Sequence, residues 1–208
     1  MRPLWYNINV VKGQTTASAS SQELRTKAEG YGQKFSIIFA KPLDKSLKIW
    51  YNIRAVRKKG LNQMTIYLDM DGTIADLYGV EGWLEDLRAE RPRPYEEAKP
   101  LVNMSVLARA LNKAQRNGVR IGVISWFSKT GTPDYNRKTE KAKRKWLKKH
   151  LKSVNFDELY FVEYGTPKST VANGFGILFD DEERNRKEWN RGDAYAPEKI
   201  FEVLKKIS

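Results

Sequence analysis

Two aspartates, Asp69 and Asp71, stand two residues apart in the run "TIYLDMDGTIADLY" of residues 65–78. At that spacing one carboxylate can attack phosphorus or hold a metal ion. The second, on the same loop, can move the leaving-group proton. Thr65-Ile66-Tyr67-Leu68 runs β-branched, aromatic and aliphatic without a break, then meets a turn signal. It reads as a buried strand. A strand that ends in two acids and a glycine puts both carboxylates at its carboxyl end, where open α/β sheets bind ligands. An acidic turn after a strand would look the same in isolation, so the rest of the chain must decide.

Three further stretches bear on it. Val119–Ile124 is a second apolar strand and runs into Ser125. Lys168 sits in "YGTPKST", a Gly/Pro turn ahead of a short helical segment. Gly176–Phe179 is a third apolar strand, ending in Asp180-Asp181. Each has a plainer reading. Ser125 could be an ordinary strand-end hydroxyl, and Asp180 and Asp181 could cap the next helix. Asn185 could help hold Asp181, but reads more simply as a solvated helix residue. The single histidine, His150, reads as a surface residue in a lysine-rich helix, which leaves histidine metal sites and Ser-His-Asp triads poorly supplied. The chain has no cysteine, so thiolate zinc sites, redox pairs and disulfides are impossible.

Taken as an ordered set, Asp-x-Asp, then Ser, then Lys, then Asp-Asp resembles the haloacid dehalogenase (HAD) superfamily of phosphohydrolases. The resemblance spans roughly residues 64–207. The closing stretch "ILFDDEERNRKEW…AYAPEKIFEVL" also resembles small phosphatases and nucleotidases of this superfamily encoded by bacteriophages. The resemblance implies Asp69 as nucleophile through an aspartyl-phosphate, and Asp71 as general acid and then base. It implies Ser125 as donor to a phosphoryl oxygen and Lys168 as the charge that neutralises Asp69 and the phosphoryl group. Mg²⁺ would be held by Asp69, the backbone carbonyl of Asp71 and Asp180, with Asp181 acting through water. Backbone N–H groups after Asp69, freed by Gly72, would cradle the same phosphoryl oxygens, with Gly72 and Thr73 among the substrate-binding residues.

The elements that must position these residues follow from pattern and length. The expected fold is α/β: a HAD-like, Rossmann-type parallel sheet with helices on both faces and a minimal cap, plus a small N-terminal α+β module. Thr65–Leu68 should be central, flanked by Arg120–Ile124 and Gly176–Phe179. From Asp71 to Ser125 there are 53 intervening residues, including "VEGWLEDLRAE" and "LVNMSVLARALNKAQRNG", both helix-patterned. That leaves enough for a helix or two over the site, with Tyr78, Trp83 and Tyr95 either closing over a nucleotide or simply packing. Residues 1–62 read as a separate basic β-α-β-β unit, with the HAD-like domain at 64–208.

The chain is 208 residues long with a net charge of +13. Residues 1–64 hold twelve Lys/Arg against three Asp/Glu, and Arg137–Lys152 hold nine basic residues against one acid. Two basic blocks suit a polyanion, with Lys141, Lys145, Lys148 and Lys149 as candidate nucleic-acid contacts. A solvated helix face is the plainer alternative. No stretch approaches a membrane span or a signal peptide, which makes a cytoplasmic protein with no membrane partner the expectation. The leading reading is a Mg²⁺-dependent phosphomonoesterase acting on a nucleotide or nucleic-acid phosphate. The alternatives are a nucleic-acid-binding protein with a regulatory HAD-like part, and a small-metabolite phosphatase.

Overall fold

The structure, a computed structural model, describes residues 64–207. The reading of residues 1–62 as a basic β-α-β-β unit lies outside the described residues.

Five strands form one parallel sheet: β1 (Thr65–Leu68), β4 (Arg120–Trp126), β5 (Glu158–Val162), β6 (Gly176–Phe179) and β7 (Ala194–Tyr195), in the order β5-β4-β1-β6-β7. The expected centre and flanks are observed: Leu68 pairs with Val123 on one side and Phe179 on the other. Parallel pairing brings the carboxyl ends of β1, β4, β5 and β6 to one edge.

Both faces of β1 are buried, which is why its sequence shows no alternation. Ile66 and Leu68 join Ile121, Val123, Ile177 and Phe179 on one face. That face is covered by α3 (Met104–Arg116), α4 (Pro133–His150) and α6 (Ile200–Ile207). Tyr67 points to the other face, among Ile124, Leu178, Ala172 and Trp189. There Gly122 and Gly176 make room for it, since a Cβ on either would come within 2.8 Å of the Tyr67 ring. The Tyr67 hydroxyl donates to Glu158 Oε2 at 2.7 Å and accepts from the Asn173 amide at 2.9 Å. The short helix α5 (Lys168–Val171) lies on this side.

The insert after β1 is small. Strands β2 (Ala75–Asp76) and β3 (Lys99–Pro100) pair antiparallel and frame two short helices, α1 (Trp83–Arg88) and α2 (Arg93–Glu97). This is the minimal cap expected from the spacing.

The basic helix starts earlier than the charge run implies. Thr132 caps it, its Oγ1 accepting from the Tyr135 amide, and Pro133 takes the first turn. Glu90 accepts from both the Thr132 amide and its hydroxyl, tying the start of α4 to the cap segment. Trp146, Leu147 and Leu151 are buried as expected. One lysine is buried with them, against expectation: Lys143 is 0% exposed. Among the described residues no helix is long and apolar enough to cross a membrane.

Candidate active site

Asp69 is the first residue past β1, and its amide still donates to the Phe179 carbonyl at 2.9 Å. Asp180 is the first past β6, its amide donating to the Tyr195 carbonyl at 3.1 Å. Adjacent parallel strands that end in register therefore deliver two buried carboxylates side by side. Asp181 follows, and carboxylate oxygens of Asp69, Asp180 and Asp181 all lie within 4.8 Å of one another. Lys168, at the start of α5, reaches in with its Nζ 2.7 Å from Asp69 Oδ1 and 2.6 Å from Asp180 Oδ2.

This cluster carries excess negative charge away from water. Burial raises Asp180 to about 6, and the charge of Asp69 adds to it against the opposing pull of Lys168. Burial together with Asp69 and Asp180 raises Asp181 to about 6 as well. Burial alone would lower Lys168, but the charges of Asp69 and Asp180 outweigh it and its net direction is up. Three convergent carboxylates against one ammonium fit a hard dication that prefers oxygen ligands.

The loop from Asp69 onward is tightly wound. The Met70 carbonyl accepts from the amides of Thr73, Ile74 and Ala75. Gly72 has φ +77°, and a Cβ there would collide with the Asp181 carboxylate. Its amide donates to the Ala75 carbonyl. The N–H groups of Gly72 and Thr73 thus donate inside the loop. Their further contribution is to Asp181. Thr73 Oγ1 accepts from the Asp181 amide at 3.0 Å and donates to its Oδ1 at 3.2 Å.

Asn185 also departs from expectation. It is buried, and its Nδ2 donates to both oxygens of Asp180 at 3.1 Å. It orients Asp180, not Asp181, and is no solvated helix residue. Asp180 Oδ1 accepts in addition from the Glu182 amide at 2.9 Å, which closes the turn before the next helix, while that helix, Glu183–Glu188, carries no side-chain cap, so the helix-capping alternative is not seen.

Asp71 faces a different lysine. Lys143 Nζ lies 2.6 Å from Asp71 Oδ2, 2.8 Å from Ser125 Oγ and 2.6 Å from the Trp126 carbonyl. Ser125 is fully buried behind this ammonium. Burial raises the Asp71 carboxyl above its ordinary range, with Lys143 opposing and Asp69 adding. Lys143 was missed from the sequence because it lies in a charge run. Its phase was the available signal: it falls three and four residues before Trp146 and Leu147, on the inward stripe of the helix.

A cavity of about 260 Å³ opens over these groups, with Asp69, Asp71, Lys168 and Asp181 in its floor. Aromatic pairs line its walls. Tyr78 packs edge-on to Trp83 at 5.1 Å, and Trp126 lies 5.0 Å from Tyr164. Tyr78 and Tyr164 are each about half exposed. Tyr95 also lines the cavity but is buried, packed against Leu77, Tyr135 and Ala142. Lys141, Lys145, Lys148 and Lys149 lie exposed along α4 and line no part of the cavity. His150 is partly buried, its ring 4.5 Å from that of Trp146.

No protein-family model matches the sequence, and no curated protein matches it. Solved structures do. The chain is similar to D,D-heptose 1,7-bisphosphate phosphatase from Burkholderia Thailandensis, at 15% identity over 60% of this chain and 70% of that one, with a TM-score of 0.39. It is also similar to the D,D-heptose 1,7-bisphosphate phosphatase from B. bronchiseptica complexed with magnesium and phosphate, at 9% identity over 68% and 87%, with a TM-score of 0.41. Likeness this distant does not set a function, which has to be argued from the chain's own residues.

Proposed function

We propose that this chain is a Mg²⁺-dependent phosphomonoesterase of the HAD kind, acting through an aspartyl-phosphate on Asp69. The observation that carries the reading is the convergence of Asp69, Asp180 and Asp181 within 4.8 Å, bridged by a buried Lys168, beside a second acid at Asp71.

Asp69, Asp180 and Asp181 would hold the cation with the Asp71 carbonyl. When bound it supplies Lewis-acid charge that draws the anionic phosphate to a carboxylate. The chain's residues do the rest. An Asp69 oxygen forms a bond to phosphorus as the bond from phosphorus to the leaving oxygen breaks, and Asp71 gives that oxygen its proton. A raised Asp71 suits that acid role. Asp71, now a carboxylate, takes a proton from a water whose oxygen bonds to phosphorus. The phosphorus–Asp69 bond breaks and inorganic phosphate leaves. Lys168 stands where negative charge gathers on Asp69 and the phosphoryl group. Thr73 and Asn185 hold Asp181 and Asp180 in place.

The leaving group we propose is a nucleotide or the end of a nucleic acid. Two features support it: aromatic faces that can stack a base at the cavity mouth, and the exposed lysines of α4. The test is a Mg²⁺-dependent phosphatase screen over nucleoside monophosphates, 5′- and 3′-phosphorylated DNA and RNA, and sugar phosphates. Tyr78→Ala and Tyr164→Ala should raise KM for a nucleotide severalfold and leave KM for a sugar phosphate unchanged. Equal turnover of sugar phosphates, with no effect of either substitution, would assign the enzyme to small metabolites.

A further inference from the structure

Lys143 is the one basic residue of α4 that points inward and is fully buried. Burying an ammonium is costly unless every donor is used. Here all three are, on Asp71 Oδ2, Ser125 Oγ and the Trp126 carbonyl. Two of those partners belong to β4, a strand buried in the middle of the sheet. The third stands on the loop after β1 and still lines the cavity. The ammonium is therefore anchored to the scaffold and holds a loop carboxylate from behind.

We propose that Lys143 is a positioning residue for Asp71: it fixes the acid–base carboxylate against the end of β4, at the height where it can meet the leaving oxygen and then the attacking water. The inference rests on the phosphatase reading above. It also gives Ser125 its work, as part of the anchor rather than as a contact to phosphate. Lys143 is itself held in place. Helix α4 is docked by the Trp146 indole, which donates to the Ala98 carbonyl at 2.7 Å, and the Tyr95 ring lies 4.9 Å from Nζ. Displacing a catalytic group by about 1 Å costs on the order of 10²-fold in rate.

Leaving-group chemistry separates this role from the alternatives. p-Nitrophenolate leaves without a proton, whereas an alkoxide needs one. In rapid-mixing experiments with Lys143→Met, the first turnover of p-nitrophenyl phosphate should stay within about threefold of native. A burst equal to the enzyme concentration should precede a slowed steady state, because the water step still needs Asp71. The first turnover of an alkyl phosphate should fall by on the order of 10²-fold. On an Asp71→Asn background the same substitution should cost little, since the two act as a unit.

Equal first-turnover losses for both esters would mean that Lys143 serves the phosphoryl group, and would overturn the proposal. So would a burst of reduced amplitude with native rates, which marks a purely structural role. So would additive losses in the double variant. A native protein that hydrolyses neither ester overturns the phosphatase reading, and this role with it.

Discussion

Replacing Lys168 by methionine keeps most of the side chain's stem and removes its charge. In the native chain Nζ makes charge-assisted contacts of 2.7 Å to Asp69 and 2.6 Å to Asp180, both buried. Removing one partner of a buried ion pair costs about 3–5 kcal/mol. Asp69, Asp180 and Asp181 would then face one another with no ammonium between them, so the metal-free variant should sit near that range. For a chain of this size 1 kcal/mol moves Tm by about 2–4 °C. A loss of about 3 kcal/mol therefore predicts a Tm lower by about 6–12 °C without metal. Mg²⁺ neutralises the same carboxylates, so its stabilising effect should be larger on Lys168→Met than on native protein. Scanning calorimetry of both proteins with EDTA and across a Mg²⁺ series measures this. Turnover should fall by on the order of 10²–10³-fold even at saturating Mg²⁺, because the fixed charge at the transition state is gone. An equal Mg²⁺ effect on both proteins, or none on either, would refute the claim that these three acids and Lys168 form one electrostatic unit around a cation site.

Other expectations follow from the same geometry. Asp180 and Asp181 have carboxyls raised to about 6, so protons compete with the cation as pH falls through that value. The Tm gain from Mg²⁺ should shrink steadily from pH 7.5 to pH 5. In the metal-free protein, carboxyls raised by folding stabilise it below their unfolded range and lose that contribution as pH rises through about 6, so their share of the stability should be greater at pH 5 than at pH 7.5. A Mg²⁺ gain independent of pH would count against these ligands. Asn185→Leu should weaken Mg²⁺ binding about tenfold by freeing Asp180 to rotate, read by calorimetric titration; unchanged affinity would make Asn185 simple packing. Reversing Lys141, Lys145, Lys148 and Lys149 to glutamate should weaken binding to a short single strand and flatten its salt slope, with little change in turnover of p-nitrophenyl phosphate. Failure of the native protein to bind DNA or RNA at low salt would leave α4 a solvated face.

Much of the site was legible because parallel strands project a linear order onto one sheet edge. Asp69 and Asp180 lie far apart in the chain, yet each follows a short apolar run, and in-register pairing of β1 with β6 brings them together. Lys168, one of many lysines, could be singled out only by its place in the order of the set, between Ser125 and Asp180. Charge counting failed where phase mattered. Arg137–Lys152 reads by density as a polyanion-binding or solvated surface, but Thr139, Ala142, Lys143, Trp146 and Leu147 form one buried stripe, and the lysine within it contacts Asp71 and Ser125. Asn185 was illegible for a different reason. Its reach back to Asp180 depends on the turn at Glu182, where the Asp180 side chain accepts from the Glu182 amide. Likewise, the residue types at Gly72 and Thr73 do not say that their amides close the loop on the Ala75 and Met70 carbonyls.

The central claim is that Asp69 becomes covalently phosphorylated during turnover. Acid quenching within the first turnover of a phosphoryl-labelled substrate, followed by proteolysis and peptide mapping, tests it most directly. The account predicts label on the peptide that contains Asp69, lost in Asp69→Asn along with turnover. Label on any other residue, or substantial turnover by Asp69→Asn, would contradict it.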